Sequence, residues 1–285
     1  MRDLRSVLRV GVFSLGALVA CLPIVTPRAN PVPPREVPYP TSMAALGDSI
    51  TQAFDSLGYR GILQAEPQYS WATGYANARL VDSQYLRLLA VDPKIKGHER
   101  NYSVTGAKVS GLGAQVAQAV RQRAGYAVIL IGANDVCTRT IAGMTPVATF
   151  ARVFSSDLAT LVKGLPKGAH IFVSSIPNLF QLWSIFHTNA TAEARWALGI
   201  CQSMLAASDT SADRAFVLKR EEAFNSVLGS TCRHYATCRW DDLAVFHNSF
   251  TTAELNTLDY YHPNLLGQNR LAAITWAHSW WSSSK

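Results

Sequence analysis

The sequence predicts an α/β fold in which helices cover both faces of a central parallel sheet. Two observations predict it. Short apolar runs alternate along the chain with longer amphipathic ones, and the strongest short run, residues 126–131, is apolar throughout. Strand–helix alternation of this kind is typical of a parallel sheet. The 285 residues are 48% hydrophobic and 16% charged, which is enough apolar side chain for a full core and excludes wholesale disorder.

Five strands are expected, each short and ended by glycine, polar residues or proline. The second is weak, and the third ends at Gly132. Residues 170–173 run into Ser-Ser-Ile-Pro, which ends the fourth. In chain order the predicted strands cover residues 43–47, 100–104, 126–131, 170–173 and 244–246.

Six helices are expected between and after these strands. The clearest covers residues 147–162, where five apolar side chains recur at three- and four-residue steps and build one stripe. The predicted helices cover residues 83–91, 113–123, 147–162, 192–205, 213–228 and 265–281.

The N-terminus has the pattern of a secretory signal. Arg2, Arg5 and Arg9 precede an apolar stretch over 10–25, and five prolines then follow within 30–40, where a packed helix cannot continue. We therefore divide the chain into a leader over 1–30, a Pro-rich linker over 31–42 and one domain over 43–285.

Three outcomes stay open for this leader. Leu-Val-Ala-Cys ending at Cys21 resembles a bacterial lipobox, whose cysteine is acylated after cleavage. Plain cleavage near Ala29 and an uncleaved anchor are the alternatives. Each sends the protein out of the cytoplasm, so we expect a secreted or extracytoplasmic protein, with a membrane tether through the N-terminus left open. No apolar run outside the N-terminus reaches the ~18 residues of a spanning helix, which excludes a multi-span membrane protein.

The net charge of +7 is a weak sign of an anionic partner. Residues 1–30 hold four arginines and one aspartate, so the rest of the chain carries +4. That remainder has no cluster of lysine and arginine interleaved with aromatics, and we expect no nucleic-acid partner.

Four cysteines remain once Cys21 is assigned to the leader, an even number that suits two disulfides in an oxidising compartment. Cys232 and Cys238 enclose five residues and pair on proximity, which leaves Cys137 for Cys201. A metal site from Cys232, His234 and Cys238 is the rival interpretation, although it lacks a fourth ligand at a recognisable spacing.

Three groups suited to acyl transfer stand after strands or in a tight turn. Ser49 follows the first strand in Gly-Asp-Ser-Ile, which places a hydroxyl beside a backbone N–H; a helix N-cap is the alternative. Asn134 follows the third strand and has an amide that can donate to an oxyanion, although Gly, Asn and Asp are also ordinary turn residues. Asp259 stands three residues before His262, within reach of its imidazole. The other six histidines lack an aspartate at this spacing.

Together these segments resemble the SGNH, or GDSL-type, hydrolases, which are serine esterases and lipases on a flavodoxin-like sheet. The four blocks of that family occur in order over about residues 43–265. They are Gly47-Asp48-Ser49-Ile50 with Ile in place of Leu, the segment from Asn101 to Gly106, Gly132-Ala133-Asn134-Asp135, and Asp259 with His262. Gly111 and Gly113 compete with Gly106 in the second block. Residues 69–74, Cys137, residues 175–177 and Trp183 resemble the phospholipase-B-like and secreted bacterial branches.

The resemblance implies a three-layer α/β/α sandwich and a role for each site residue. Ser49 is the nucleophile, His262 the base and Asp259 its orienting group. The N–H groups of Ser49 and Gly106 and the amide of Asn134 form the oxyanion hole. No metal or cofactor is implied, and we expect a monomer acting on a small-molecule or lipid ester.

Other functions stay open on the same fold. A carbohydrate O-deacetylase or a thioesterase would use the same residues, whereas an inactive binding module would have lost one of them. A metal-dependent phosphohydrolase would need a cluster of carboxylates and histidines. The apolar segment 176–186, with Trp183, either covers the core or walls an acyl pocket.

Overall fold

The computed structural model describes residues 37–58 and 63–282. The predicted leader over 1–30, with Cys21, and the first half of the linker lie outside these residues and stay predictions. No helix in the described ranges is long and apolar enough to cross a membrane.

A five-stranded, fully parallel sheet forms the centre of the described domain. Its strand order is β2-β1-β3-β4-β5, which places β1 beside β3 in the middle. All five residues of β1 and of β3 are buried, as expected for strands covered on both faces. The strands are β1 (Met43–Gly47), β2 (Glu99–Asn101), β3 (Tyr126–Leu130), β4 (His170–Val173) and β5 (Cys238–Trp240).

Helices cover both faces of this sheet, which confirms the predicted α/β/α architecture. On one face α2 packs against α4, and α4 packs against α8. On the other face α1 packs against α9, and Tyr126 of β3 donates a hydrogen bond to Gln84 of α1. The helices are α1 (Gln84–Val91), α2 (Leu112–Gln122), α3 (Ala133–Val136), α4 (Val147–Gly164), α5 (Phe180–Phe186), α6 (Ala190–Trp196), α7 (Gln202–Leu205), α8 (Ser211–Arg233) and α9 (Leu265–Ala277).

Local caps explain several helix starts. Ser83 caps α1, and Asn264 caps α9 by accepting the N–H groups of two residues in its first turn. Thr210 and Asp213 form a reciprocal capping box at the start of α8.

The strands predicted over 43–47 and 170–173 are confirmed, and both begin and end at the predicted residues. The weak second strand begins one residue early and ends at Asn101, although Val104 N–H still reaches Gly47 O at 3.1 Å.

Three expectations are wrong. The fifth strand is β5, and residues 244–246 form a turn instead, in which Val245 N–H donates to Asp241. The helix expected over 192–205 is broken into α6 and α7, because Gly199 and Cys201 have φ of 112° and 45° and cannot continue a helix. The last helix ends at Ala277, and Trp281 turns back to pack edge-on against Tyr126 at 4.8 Å.

Two disulfides join the four described cysteines, in the pairing that proximity and elimination favoured. Cys137 is bonded to Cys201, and Cys232 to Cys238. The rival metal interpretation of Cys232 and Cys238 is therefore wrong. No group of three or more metal-binding side chains lies together among the described residues.

Candidate active site

Ser49 lies in a tight turn at the carboxyl end of β1, at the centre of the sheet. Gly47 makes this turn possible. Its φ is 146°, and a Cβ there would lie 2.1 Å from the carbonyl oxygen of Leu130 on β3. Only glycine allows β1 and β3 to approach this closely, and the turn that carries Ser49 begins at this position.

His262 bridges Ser49 and Asp259. Its Nε2 lies 2.8 Å from Ser49 Oγ, and its Nδ1 lies 2.5 Å from Asp259 Oδ2. The other carboxylate oxygen of Asp259 accepts the N–H groups of Tyr261 and His262, at 2.8 and 3.0 Å. The Asp-x-x-His spacing therefore works as a turn in which one carboxylate holds both the backbone and the imidazole.

His262 and Asp259 each shift the pKa of the other toward its charged form. Burial alone would lower the pKa of His262, but the charge of Asp259 and its hydrogen bond raise that pKa above its ordinary value, with further help from Asp55 and Asp48. Burial alone would raise the pKa of Asp259, but attraction to His262 and the hydrogen bonds from the turn hold that pKa below its ordinary value. The arrangement thus stabilises an imidazolium beside a carboxylate.

Asp48, directly before the serine, is fully buried and faces the same region. Its Oδ1 accepts the N–H of Ile50 at 3.0 Å, which braces the turn across Ser49. Burial raises the pKa of Asp48 to about 7, although the Ile50 hydrogen bond and the charge of His262 oppose the rise. The contact with Ile50 agrees with a bracing role more than with proton transfer.

Three hydrogen-bond donors come from the turn after β1, the loop after β2 and α3, which follows β3. The N–H groups of Ser49 and Gly106 donate to no other described residue. Asn134 Nδ2 donates to Ala107 O at 3.0 Å, which ties the amide to the Gly106 loop, and an amide has a second N–H to offer. Gly106 has φ of 77°, whereas its rivals Gly111 and Gly113 lie in or beside α2. The placement suits an oxyanion hole.

Asp135 holds this loop in register with β3. Its buried carboxylate accepts the N–H of Val109 at 2.8 Å and the hydroxyl of Thr145 at 2.6 Å. Asn101 acts similarly on the other side, donating to Thr51 O and Thr73 Oγ1 and accepting the N–H of Ser103. Both residues stand in the matched motif blocks, but their contacts were not predicted.

Two buried glutamines that no motif indicated clamp the serine turn. Gln115 of α2 pairs with both backbone groups of Gly47, accepting its N–H at 2.7 Å and donating to its oxygen at 2.9 Å. Gln268 of α9 donates to Ile50 O at 2.9 Å and accepts the N–H of Trp71. Ser49 is therefore held on both sides by helices from opposite faces of the sheet.

Comparisons with known proteins give one family match. The model of the GDSL-like lipase/acylhydrolase family matches residues 45–270. No curated protein sequence matches the chain.

Three solved structures illustrate what the chain is similar to. TesA is 18% identical, with a TM-score of 0.45 over 83% of this chain and 97% of that one. The acetyl xylan esterase AlAXEase is 15% identical, with a TM-score of 0.48 over 82% and 98%. The psychrotrophic esterase EstA from Pseudoalteromonas sp. is 13% identical, with a TM-score of 0.47 over 84% and 96%.

The family match covers well over half of the chain and includes the serine, amide, carboxylate and imidazole described above. The chain therefore belongs to the GDSL-like lipase/acylhydrolase family and is an ester hydrolase.

Proposed function

We propose that the protein is a serine esterase that hydrolyses carboxylic esters through an acyl-enzyme on Ser49. One observation carries the proposal: the continuous line of contacts from Ser49 Oγ through His262 to Asp259, at 2.8 and 2.5 Å. A nucleophile, a base and an orienting carboxylate in this order are what acyl transfer requires. An inactive binding module would have no need to keep this line intact.

The proposed reaction has two halves. Ser49 Oγ attacks the ester carbonyl while His262 Nε2 takes its proton, and Asp259 stabilises the resulting imidazolium. The N–H groups of Ser49 and Gly106 and the amide of Asn134 hold the negative oxygen. His262 then gives the proton to the departing alcohol. Water, deprotonated by the same imidazole, attacks the acyl-enzyme and releases the acid, and the proton returns to Ser49.

The proposal includes export from the cytoplasm. The basic and apolar N-terminus, together with two disulfides in the described domain, supports an oxidising compartment. The proposal includes lipid attachment at Cys21 as one of three possible outcomes for the leader, beside plain cleavage and an uncleaved anchor.

A p-nitrophenyl phosphonate tests the nucleophile. We expect one p-nitrophenol released per chain, a covalent adduct on the peptide that holds Ser49, and no adduct on Ser49→Ala. Ester hydrolysis by Ser49→Ala should fall about 10³-fold or more with the melting temperature unchanged, because oxyanion binding alone remains. Activity of Ser49→Ala within about tenfold of wild type, or an adduct elsewhere, would contradict the proposal.

A further inference from the structure

A cavity of about 300 Å³ lies at the outer edge of the sheet, between α8 and the turn that follows β5. This volume is at the lower end of the range for small-molecule sites, about 300–1,000 Å³. Residues of α8 form one wall, and Trp240, Asp242 and Phe246 form the other. β5 is three strand spacings from β1, about 14 Å, and none of the residues that line the cavity takes part in the proposed reaction.

Two hydrogen-bond donors converge in this cavity beside Gly229. This glycine lies in the interior of α8, where glycine weakens a helix relative to alanine. A Cβ at this position would lie 2.9 Å from Trp240 Nε1 and 3.3 Å from Arg233 Nη1. The missing side chain therefore leaves a space to which an indole N–H and a guanidinium both come close.

The indole N–H of Trp240 has no partner among the described residues, although the side chain is buried. Trp240 is only 6% exposed, and its Nε1 stays open to the cavity that the residue lines. Trp196, Trp280 and Trp281 instead donate their indole N–H groups to backbone oxygens. A donor this deeply placed requires an acceptor, and a molecule in the cavity can supply one.

Acceptors and hydroxyls surround these donors. Glu222 and Asp242 bring carboxylates to the cavity, and Ser226 and Ser230 bring hydroxyls. Asp242 also pairs with Arg233 at 2.9 Å, with both side chains exposed. The lining thus carries two anions and one cation, so any charged ligand would meet a group of its own sign. A neutral ligand that both donates and accepts hydrogen bonds suits this lining best.

Both walls of the cavity are fixed. Asp242 and Leu243 have φ of 53° and 66°, a left-handed conformation that is uncommon outside glycine. The buried carboxylate of Asp241 holds this turn by accepting the N–H groups of Leu243 and Val245, each at 3.1 Å. The disulfide between the end of α8 and β5 joins one wall to the other. A ligand therefore enters a preformed site, which lowers the ordering cost of binding.

We propose that this cavity binds a neutral sugar ring, with Trp240 and Arg233 donating to its hydroxyls and Glu222 accepting from them. A pyranose carries hydroxyls around its rim, each able to donate and accept, and apolar C–H groups on its faces. Those faces suit the carbon surface of Leu243 and Phe246, which line the same cavity. The inference goes beyond the proposed function, because binding needs neither an ester nor the proposed nucleophile.

The test titrates the full chain with methyl glucopyranoside, methyl mannopyranoside and methyl xylopyranoside, and follows the indole N–H groups by NMR. We expect saturable binding of at least one ring, with a shift of the indole resonance that is missing in Trp240→Phe. Trp240→Phe should raise Kd about fivefold, since one hydrogen bond between uncharged groups is lost. Glucuronate should bind more weakly than the neutral rings, because Glu222 and Asp242 repel its carboxylate.

Two variants on the exposed surface of α8 form a matched pair. Ser226→Trp fills the cavity and should raise Kd at least about tenfold, whereas Ala212→Trp, which is outside the lining, should leave Kd within about twofold. Ser226→Trp should hydrolyse p-nitrophenyl acetate as wild type does, which shows that it is folded. Ser49→Ala should bind the ring with the Kd of wild type.

Three results would overturn the inference: no saturable binding of any of the three rings, a shifted indole resonance that persists in Trp240→Phe, or equal Kd in wild type and Ser226→Trp. Tighter binding of glucuronate would assign the cavity to an anion, and loss of binding in Ser49→Ala would place the ring at the proposed active site. Should Trp240→Phe fail to fold, Ser226→Trp decides. Failure of the proposed function would show separately, because no probe in this titration is an ester.

Discussion

The imidazole of His262 joins two segments that are far apart in the chain. Ser49 lies 213 residues before it, and Asp259 lies one turn before it. Phe54 packs against the imidazole with ring centroids 5.0 Å apart, which limits its rotation. Each side chain is common in turns, so the chemistry depends on the distances between them.

The pH dependence of activity tests the pairing of His262 with Asp259. His262 must be neutral to act as base, so kcat/KM should rise with pH, with a midpoint above the ordinary histidine value of 6.5 because Asp259 raises the pKa of His262. Asp259→Asn removes that charge and should move the midpoint to lower pH while reducing the rate, and it should cost less than His262→Ala. The measurement is kcat/KM from about pH 5 to pH 9. A flat profile in wild type, or a midpoint unmoved in Asp259→Asn, would argue against this pairing.

At the scale of elements, the site depends on helices that approach the sheet edge from both faces. α2 and α9 supply Gln115 and Gln268, whose amides replace water around the turn that carries Ser49. These hydrogen bonds span 68 and 218 residues of sequence. The nucleophile is therefore a product of packing between layers as much as of its own motif.

Gln115→Ala tests this clamp. The buried N–H of Gly47 loses its partner, so the free energy of unfolding should fall by about 1–3 kcal/mol. Because Gly47 lies only two residues before Ser49, its displacement should move the nucleophile, and kcat should fall about tenfold or more with KM little changed. Gln118→Ala on the same helix is the matched control, since Gln118 is exposed and should change neither quantity. Equal kcat in the two variants would leave Gln115 with a role in stability alone.

At the scale of the molecule, the two disulfides hold different parts of the domain. Cys137 follows α3, which carries Asn134, and its sulfur accepts a hydrogen bond from Tyr261, the neighbour of His262, at 3.1 Å. Cys232 and Cys238 join the end of α8 to β5, a short strand at the edge of the sheet. The first bond therefore borders the site, and the second borders the outer strand.

Removal of each disulfide should cost stability that increases with the logarithm of the length of the loop that it closes. The sequence separations are 64 for Cys137–Cys201 and 6 for Cys232–Cys238. Loop-closure entropy then predicts losses of about 4 and about 2 kcal/mol in the free energy of unfolding. Urea denaturation of the double variants Cys137→Ala/Cys201→Ala and Cys232→Ala/Cys238→Ala measures both. A larger loss for the second pair would contradict the loop argument, and thiol titration of the denatured wild type should find at most the one thiol of Cys21.

The sequence by itself determined the parts of this protein that local chemistry encodes. Buried parallel strands need continuous apolar runs, so β1, β3 and β4 stood out, and Gly47, Ser49, Asn134 and His262 follow strands or turns in recognisable spacing. A three-residue edge strand with a charged Arg239 has no such run, and the turn at 244–246, in which Val245 and Phe246 are buried, is as apolar as a strand.

Only the tertiary structure decided the rest. Gln115 and Gln268 have ordinary sequence surroundings, and their function arises from contacts across the layers. The segment 176–186 is apolar almost throughout, so hydropathy alone could not tell Leu182, which is buried in the core, from Trp183, whose ring lies 4.5 Å from the guanidinium of Arg214. The local sequence pattern predicts which side chains are buried, whereas the packing of distant segments decides which residues each of them contacts.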